Sequence, residues 1–254
     1  MLFAADIGNT ETVIGLFDGM SLKRHWRVSS SREKTADEYG ALFLSLLSSA
    51  GVDPAGLTGA IISSVVPVIN RPFREAVKEY LAVPPLAVGE EVRPAMRLLV
   101  DNPAEVGADR VVNAVAAYSI YKTSLIVVDF GTAITFDYVT GDGEYAGGVI
   151  APGIAVSAEA LFLKTAMLPR VDISRPERVI GRNTAGCIRS GIYWGFAGLV
   201  DAIIVKMKAE MKTAPKVIAT GGLCRVISSE SSELTGVDEF LRLKGIRILY
   251  EGHR

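Results

Sequence analysis

The sequence predicts an α/β protein built from two matched halves, and three observations predict it. An apolar run ending in Asp-Ile-Gly at Gly8 opens a series of two further extended runs and then a helical pattern. The same series begins again with the run from Leu125 that ends in Asp-Phe-Gly at Gly131. Asp6-Ile7-Gly8-Asn9-Thr10 and Asp129-Phe130-Gly131-Thr132-Ala133 therefore hold matching places in two hairpin-plus-helix units, a weak internal repeat. The third observation is length, since 254 residues suffice for one large domain or two medium ones.

Each element has its own warrant. Leu2 to Gly8 is apolar enough for a buried strand, and Thr12 to Phe17 is a second. Asp18-Gly19 is a hairpin signal, and Leu22 to Val28 alternates as a third strand would. Ser31 or Thr35 can cap a helix whose apolar positions are Tyr39, Leu42, Phe43, Leu46 and Leu47, with Gly51 as its stop. Ala60 to Val66 reads as a strand, Pro72 to Leu81 as a short helix and Val111 to Tyr121 as an apolar helix. In the second half, Leu125 to Phe130 and Thr132 to Val139 are strands. Gly141-Asp142-Gly143 is the turn, and Tyr145 to Ile150 is the third strand before a helix after Pro152. The predicted boundary near Lys122 to Ser124 gives halves 1–122 and 123–254, with no flexible linker between them. Asn183 to Met211 is long and mostly helical, and Gly186, Gly191, Gly195 and Gly198 punctuate it. Such small residues let another helix approach, within the chain or across a dimer. The helix should stop near Lys212 to Pro215, because proline cannot continue it. Lys216 to Thr220 is then a strand leading into Gly221-Gly222.

Composition excludes several classes. Lys plus Arg number 27 and Asp plus Glu 28, a net charge of -1 that offers no footprint for nucleic acid. The two cysteines, Cys187 and Cys224, form no CxxC pair and read as buried or half-buried small residues. The two histidines, His25 and His253, lie far apart, so a Cys/His metal cluster and a Ser-His-Asp triad lack candidates. His25 reads as a strand-surface residue, and Trp26 and Trp194 as packing. Asp6 interrupts the first apolar run and no basic segment precedes it, so no export signal is expected. The longest uncharged stretch, Pro54 to Asn70, is too short and too broken to span a bilayer. The expectation is a cytoplasmic protein with no membrane and no nucleic-acid partner.

Chemistry is carried by the turns. An Asp-x-Gly turn with a threonine close behind it occurs twice, at Asp6 and at Asp129. Glycine lets the backbone approach a phosphate, and successive N–H groups with a threonine hydroxyl can cradle its oxygens. An aspartate at the end of a buried strand can orient a hydrated magnesium ion. Two tight hairpins with no ligand is the competing reading. Thr220-Gly221-Gly222 offers backbone donors and a flat surface for a nucleoside, or is merely a turn. Asp109 beside Arg110 is either a charge pair at a helix start or a carboxylate and a cation for phosphoryl transfer to an alcohol.

Five segments in order carry a resemblance. They are Asp6 to Thr10, Ser64-Val65-Val66-Pro67, Asn102-Pro103 with Gly107-Ala108-Asp109-Arg110, Asp129 to Ala133, and Ile180-Gly181-Arg182-Asn183-Thr184. Together they closely resemble the type III pantothenate kinases, bacterial enzymes that start coenzyme A synthesis, from Leu2 to about Tyr250. The resemblance implies an actin-like ATPase fold of two duplicated ribonuclease-H-like halves, each a mixed sheet with flanking helices. It implies ATP-dependent phosphorylation of pantothenate to 4'-phosphopantothenate. Asp109 would be the general base. Asp6, Ile7, Gly8, Asn9, Thr10, Glu11, Thr12 and Val13 would form the first phosphate loop, with Asp6 near magnesium directly or through water. Thr132 would touch ATP, and Gly221 and Gly222 would line the adenosine segment. Gly107, Ala108, Asp109, Arg110 and Thr184 would meet pantothenate, and Asp129 would hold a monovalent cation, potassium or ammonium. The family is dimeric, with the glycine-punctuated helix as the expected interface. A filament or switch ATPase, or a sugar or acetate kinase, is the alternative within the superfamily.

Two departures stand out. Val100 occupies a place where relatives often carry an aromatic residue, which affects one wall of the substrate pocket. Phe240-Leu241-Arg242-Leu243-Lys244 replaces a Leu-Thr-Leu pattern, a change expected to touch a peripheral helix more than the chemistry.

Overall fold

The computed structural model describes residues 1–211 and 213–253. Its elements in chain order are β1 (Leu2–Ile7), β2 (Glu11–Asp18), β3 (Ser21–Ser29), α1 (Ala36–Ser49), β4 (Gly59–Ser64), α2 (Pro67–Tyr80), β5 (Pro85–Ala87) and α3 (Ala108–Tyr121). They continue with β6 (Leu125–Phe130), β7 (Ala133–Val139), β8 (Tyr145–Pro152), α4 (Ile154–Lys164) and α5 (Thr184–Glu210). The last are β9 (Lys216–Thr220), α6 (Cys224–Ser228), β10 (Gly236–Val237) and α7 (Leu241–His253). By contacts the chain divides into two compact units. One comprises Met1–Met96, Ala104–Ala116 and the residues from Arg242 on, and the other comprises Arg97–Pro103 and Ala117–Leu241.

The two sheets repeat one plan. The first has the order β3-β2-β1-β4-β5 and the second β10-β9-β6-β7-β8. Read from the same side, β6 corresponds to β1, β7 to β2, β8 to β3, β9 to β4 and β10 to β5. The central strand of each sheet pairs antiparallel with the strand that follows it and parallel with its other neighbour. All six residues of β1 and all six of β6 are buried, which explains why both read as unbroken apolar runs rather than alternating ones. The register then fixes the carboxylates. Asp6 pairs with Val13 and Ser63, and Asp129 pairs with Thr135 and Thr220, each one residue before its strand ends. The expected repeat is thus present strand for strand.

In the first unit, Phe3, Tyr39, Phe43 and Phe73 are fully buried and meet ring to ring, with Phe43 and Phe73 centroids 4.9 Å apart. Thr35, not Ser31, caps α1. Its hydroxyl accepts from the Glu38 N–H, and the Glu38 side chain accepts from the Thr35 N–H, a reciprocal box that satisfies two donors. The second helix starts at Pro67, five residues before the expected start at Pro72. Proline is suited to a first helical position, and the buried stripe Ile69, Phe73, Ala76 and Val77 begins upstream of Pro72. Burial of that stripe offsets the hydrogen bond that Pro72 cannot donate. The third helix likewise starts at Ala108, so Asp109 lies within its first turn rather than ahead of it. The short edge strands β5 and β10 were not anticipated.

In the second unit, α5 supplies the core residues Tyr193, Phe196, Val200 and Ile204. It is the one helix among the described residues with the length and hydropathy to cross a bilayer. Its buried stripe reads as that of a core helix. Beyond the helix's own neighbouring backbone, nothing among the described residues lies within 4 Å of where a Cβ at Gly191, Gly195 or Gly198 would stand, so no other described helix packs on those three. The helix ends at Glu210, and Lys212, where the stop was expected to begin, lies outside the described residues.

Candidate active site

The first unit presents the β1–β2 turn. The Gly8 N–H donates to the Glu11 carbonyl at 3.0 Å, and a Cβ on Gly8 would stand 2.9 Å from that oxygen. Glycine is therefore required for so tight a turn. Asn9, Thr10 and Glu11 are exposed at its tip, while Asp6 is only 6% exposed at its base. Ile7 is fully buried, so any ligand contact it makes is through its backbone. Thr12 is also buried, and its hydroxyl shares a hydrogen bond of 2.8 Å with Ser30, so it braces the loop from beneath. Val13 is half-buried in β2.

The same unit brings Asp109 to Asp6 through a third side chain. Arg242 donates from Nη1 to Asp6 Oδ2 at 2.7 Å, and its Nη2 lies 4.0 Å from Asp109 Oδ2. The second carboxylate oxygen of Asp109 accepts the Arg110 N–H at 2.9 Å. A Cβ on Gly107 would stand 2.5 Å from that same oxygen, so glycine there makes room for the carboxylate. The Gly107 carbonyl accepts from the N–H groups of Arg110 and Val111, which starts α3. Gly107, Ala108 and Arg110 are all half-exposed beside it. Arg242 is the residue that the sequence did not reveal. Only its departure from a Leu-Thr-Leu pattern marked the position, and its helix lies beside two of the candidate site carboxylates.

The second unit presents the equivalent turn. The Gly131 N–H donates to the Ala133 carbonyl at 3.1 Å, Asp129 is 4% exposed, and Thr132 is exposed at the tip. Two further glycines wrap this turn. Gly221 has φ +91, and a Cβ on it would stand 2.5 Å from Asp129 Oδ1 and 2.7 Å from the Phe130 nitrogen. Gly153, which sequence reasoning passed over, lies so close that a Cβ would collide with the Thr132 carbonyl. The only hint was a glycine between a strand and a helix. Thr184 is exposed in the first turn of α5, capped by Asn183, whose side chain accepts the Gly186 N–H at 2.7 Å. Val100 lies near Gly147, whose added Cβ would stand 3.8 Å from it. A cavity of about 370 Å³ beside α4 and α5, lined by Glu159, Arg170, Asp172 and Arg189, contains none of the expected site residues.

Metal chemistry is bounded by the donor set. Among the described residues no three His, Cys, Asp or Glu side chains cluster as a metal cage. Single buried carboxylates beside open turns fit cations that take most of their ligands from phosphates and water, as magnesium does. Cys224 is buried and its thiol is pushed up to about 11 by that burial, so it is a poor nucleophile or ligand. Cys187 is exposed, contrary to the expectation of burial, because it faces outward in the first turn of α5.

Known proteins share this chain's sequence and fold. A model of the type III pantothenate kinase family matches residues 2–206. A protein named type III pantothenate kinase from Geobacter sulfurreducens is 52% identical over 254 residues, covering 100% of each chain. One of the same name from Geobacillus kaustophilus is 49% identical over 251 residues, covering 99% of this chain and 97% of the relative. Among solved structures, the activator of 2-hydroxyisocaproyl-CoA dehydratase from Clostridium difficile superposes with TM-score 0.55 at 12% identity, over 98% of this chain and 93% of that one. An inorganic polyphosphate/ATP-glucomannokinase from Arthrobacter gives TM-score 0.53 at 16% identity over 99% of each chain. These structures bear on fold alone: the two-sheet α/β fold of this chain is shared by both.

The glycine contacts generate a stability prediction. Gly221→Ala, which forces both a left-handed backbone and a contact with Asp129, should lose about 1–3 kcal/mol in urea unfolding. Gly56→Ala, with open space around it, should stay within about 0.5 kcal/mol of the parent. Equal midpoints for the two variants would contradict the close approach.

Proposed function

The chain belongs to the type III pantothenate kinase family, and from that premise we propose how its residues carry out the family's reaction. The protein transfers the γ-phosphoryl group of ATP to pantothenate, giving 4'-phosphopantothenate, the first step of coenzyme A biosynthesis. The single observation that carries this is the match over the full length at about half identity. The residue roles below are our own reading, and the turn geometry supports them.

Asp109 is the general base. It stands in the first turn of α3 with Arg110 and Gly107 beside it, where a hydroxyl could reach its carboxylate. A carboxylate is a weak base toward an alcohol. In a loose transition state it need only orient the hydroxyl for in-line attack and accept its proton late. Gly107, Ala108, Arg110 and Thr184 contact pantothenate. The turn from Asp6 to Val13 offers N–H groups to ATP phosphates, Thr132 touches ATP, and Gly221 and Gly222 face the adenosine. Asp6, whose Oδ2 accepts from Arg242, would hold magnesium directly or through water, and Asp129 would hold potassium or ammonium. When bound, these cations neutralise charge that accumulates on the phosphates. We further infer a cytoplasmic homodimer formed through the open glycine face of α5, and halves 1–122 and 123–254 as copies of one duplicated unit.

The chemistry predicts two outcomes. Asp109→Asn should fold and bind ATP with near-parent affinity while turnover falls roughly 100- to 10,000-fold. A folded variant with normal turnover would remove Asp109 from the mechanism. Replacing potassium by sodium at constant ionic strength should lower the rate, and Asp129→Asn should abolish that difference. Equal rates of the parent in both salts would contradict the monovalent site.

A further inference from the structure

The guanidinium of Arg242 holds a position that the reaction scheme above leaves without a role. One of its amino groups meets Asp6 Oδ2 at 2.7 Å and the other lies 4.0 Å from Asp109 Oδ2. The Arg242 side chain is 22% exposed and that of Asp6 9%, so the first pair is largely withdrawn from water. Its helix is firmly seated. Leu243 and Ile246 of α7 are buried, and Leu243 lies against Gly15 of β2. Gly245 lets α7 approach α3 so closely that an added Cβ would stand 2.5 Å from the Val112 carbonyl. Tyr250 packs over Gly59 of β4. The cation is thus delivered by an element anchored to α3, which carries Asp109, and to β2 and β4, which flank the strand that carries Asp6.

We propose that Arg242 is a positioning residue for phosphoryl transfer, its planar fork setting the orientation and separation of the Asp6 and Asp109 carboxylates. The proposal rests on the roles given above to those two aspartates. Two carboxylates in a partly dehydrated site repel each other, and a guanidinium hydrogen-bonded to Asp6 and 4.0 Å from Asp109 offsets that repulsion, holding the first by contact and the second by charge. A lysine supplies a single point charge and cannot serve two acceptors in a plane. Misplacement of reacting groups by about 1 Å costs on the order of 100-fold in rate.

The test combines kinetics with the ligand-free protein. Arg242→Met should lower kcat roughly 100-fold while the KM for pantothenate stays near that of the parent. Arg242→Lys should recover part of the loss. Arg242→Ala should regain turnover with millimolar guanidinium chloride and not with sodium chloride at equal ionic strength. Without ligands, a thermal-unfolding cycle of Arg242→Met with Asp6→Asn should show coupling, Asp6→Asn being less harmful once the arginine is gone. Parent-like kcat in folded Arg242→Met would overturn the proposal. So would equal losses in the Met and Lys variants with no guanidinium rescue. If Arg242→Met fails to fold, Arg242→Lys and the guanidinium rescue carry the test. Asp109→Asn serves as the control. If it keeps full turnover, the assignment of the base fails, whereas an inactive Asp109→Asn beside a fully active Arg242→Met defeats the role of Arg242 alone.

Discussion

A fully buried strand with a carboxylate one residue before its end sets the constraint on each unit. In β1 and β6 every side chain is out of water, and each strand is hydrogen-bonded on both edges. The charge at Asp6 or Asp129 stands one residue before the last paired position of its strand, Ile7 or Phe130. Beyond it the chain must turn at once, because the following strand pairs antiparallel with the one just left. Glycine at 8 and at 131 makes that reversal, and the exposed tips follow from it. A buried carboxylate under an open backbone turn is suited to a cation shared with a polyanion, since the protein supplies one charge and the ligand the rest.

Much of this was legible because the signals are local. The runs ending in Asp-x-Gly, the Asp18-Gly19 hairpin and the capping Thr35 each depend on residues within a few positions of one another. The second sheet could be read by comparison with the first. The misses involve competition between local rules. Pro72 looked like a helix start, but Pro67 is an equally good first residue and the buried stripe begins before Pro72. The short strands β5 and β10 carry too few residues for any periodicity to show.

The site was half legible for the same reason. Asp6, Gly8 and Asp129 announce themselves by spacing, and Asp109 by its neighbours Gly107 and Arg110. The meeting of Asp6 with Asp109 through Arg242 depends on three elements distant in sequence, β1, α3 and α7. No spacing rule links them. The same holds for Gly153 and Gly221, which close around the second turn only once β8 and β9 are in place. Phosphoryl transfer asks little covalent chemistry of a protein and much positioning, so residues that fix other residues are expected to matter and to be the hardest to see in a sequence.

The central claim is that this chain moves a phosphoryl group from ATP to pantothenate. The most direct measurement is ADP release by the purified protein with ATP, magnesium and potassium, with and without pantothenate, and the product identified by mass. The account predicts ADP release that depends on pantothenate and yields one equivalent of phosphopantothenate per ADP. ADP release without pantothenate, or none from folded protein that binds ATP, would contradict it.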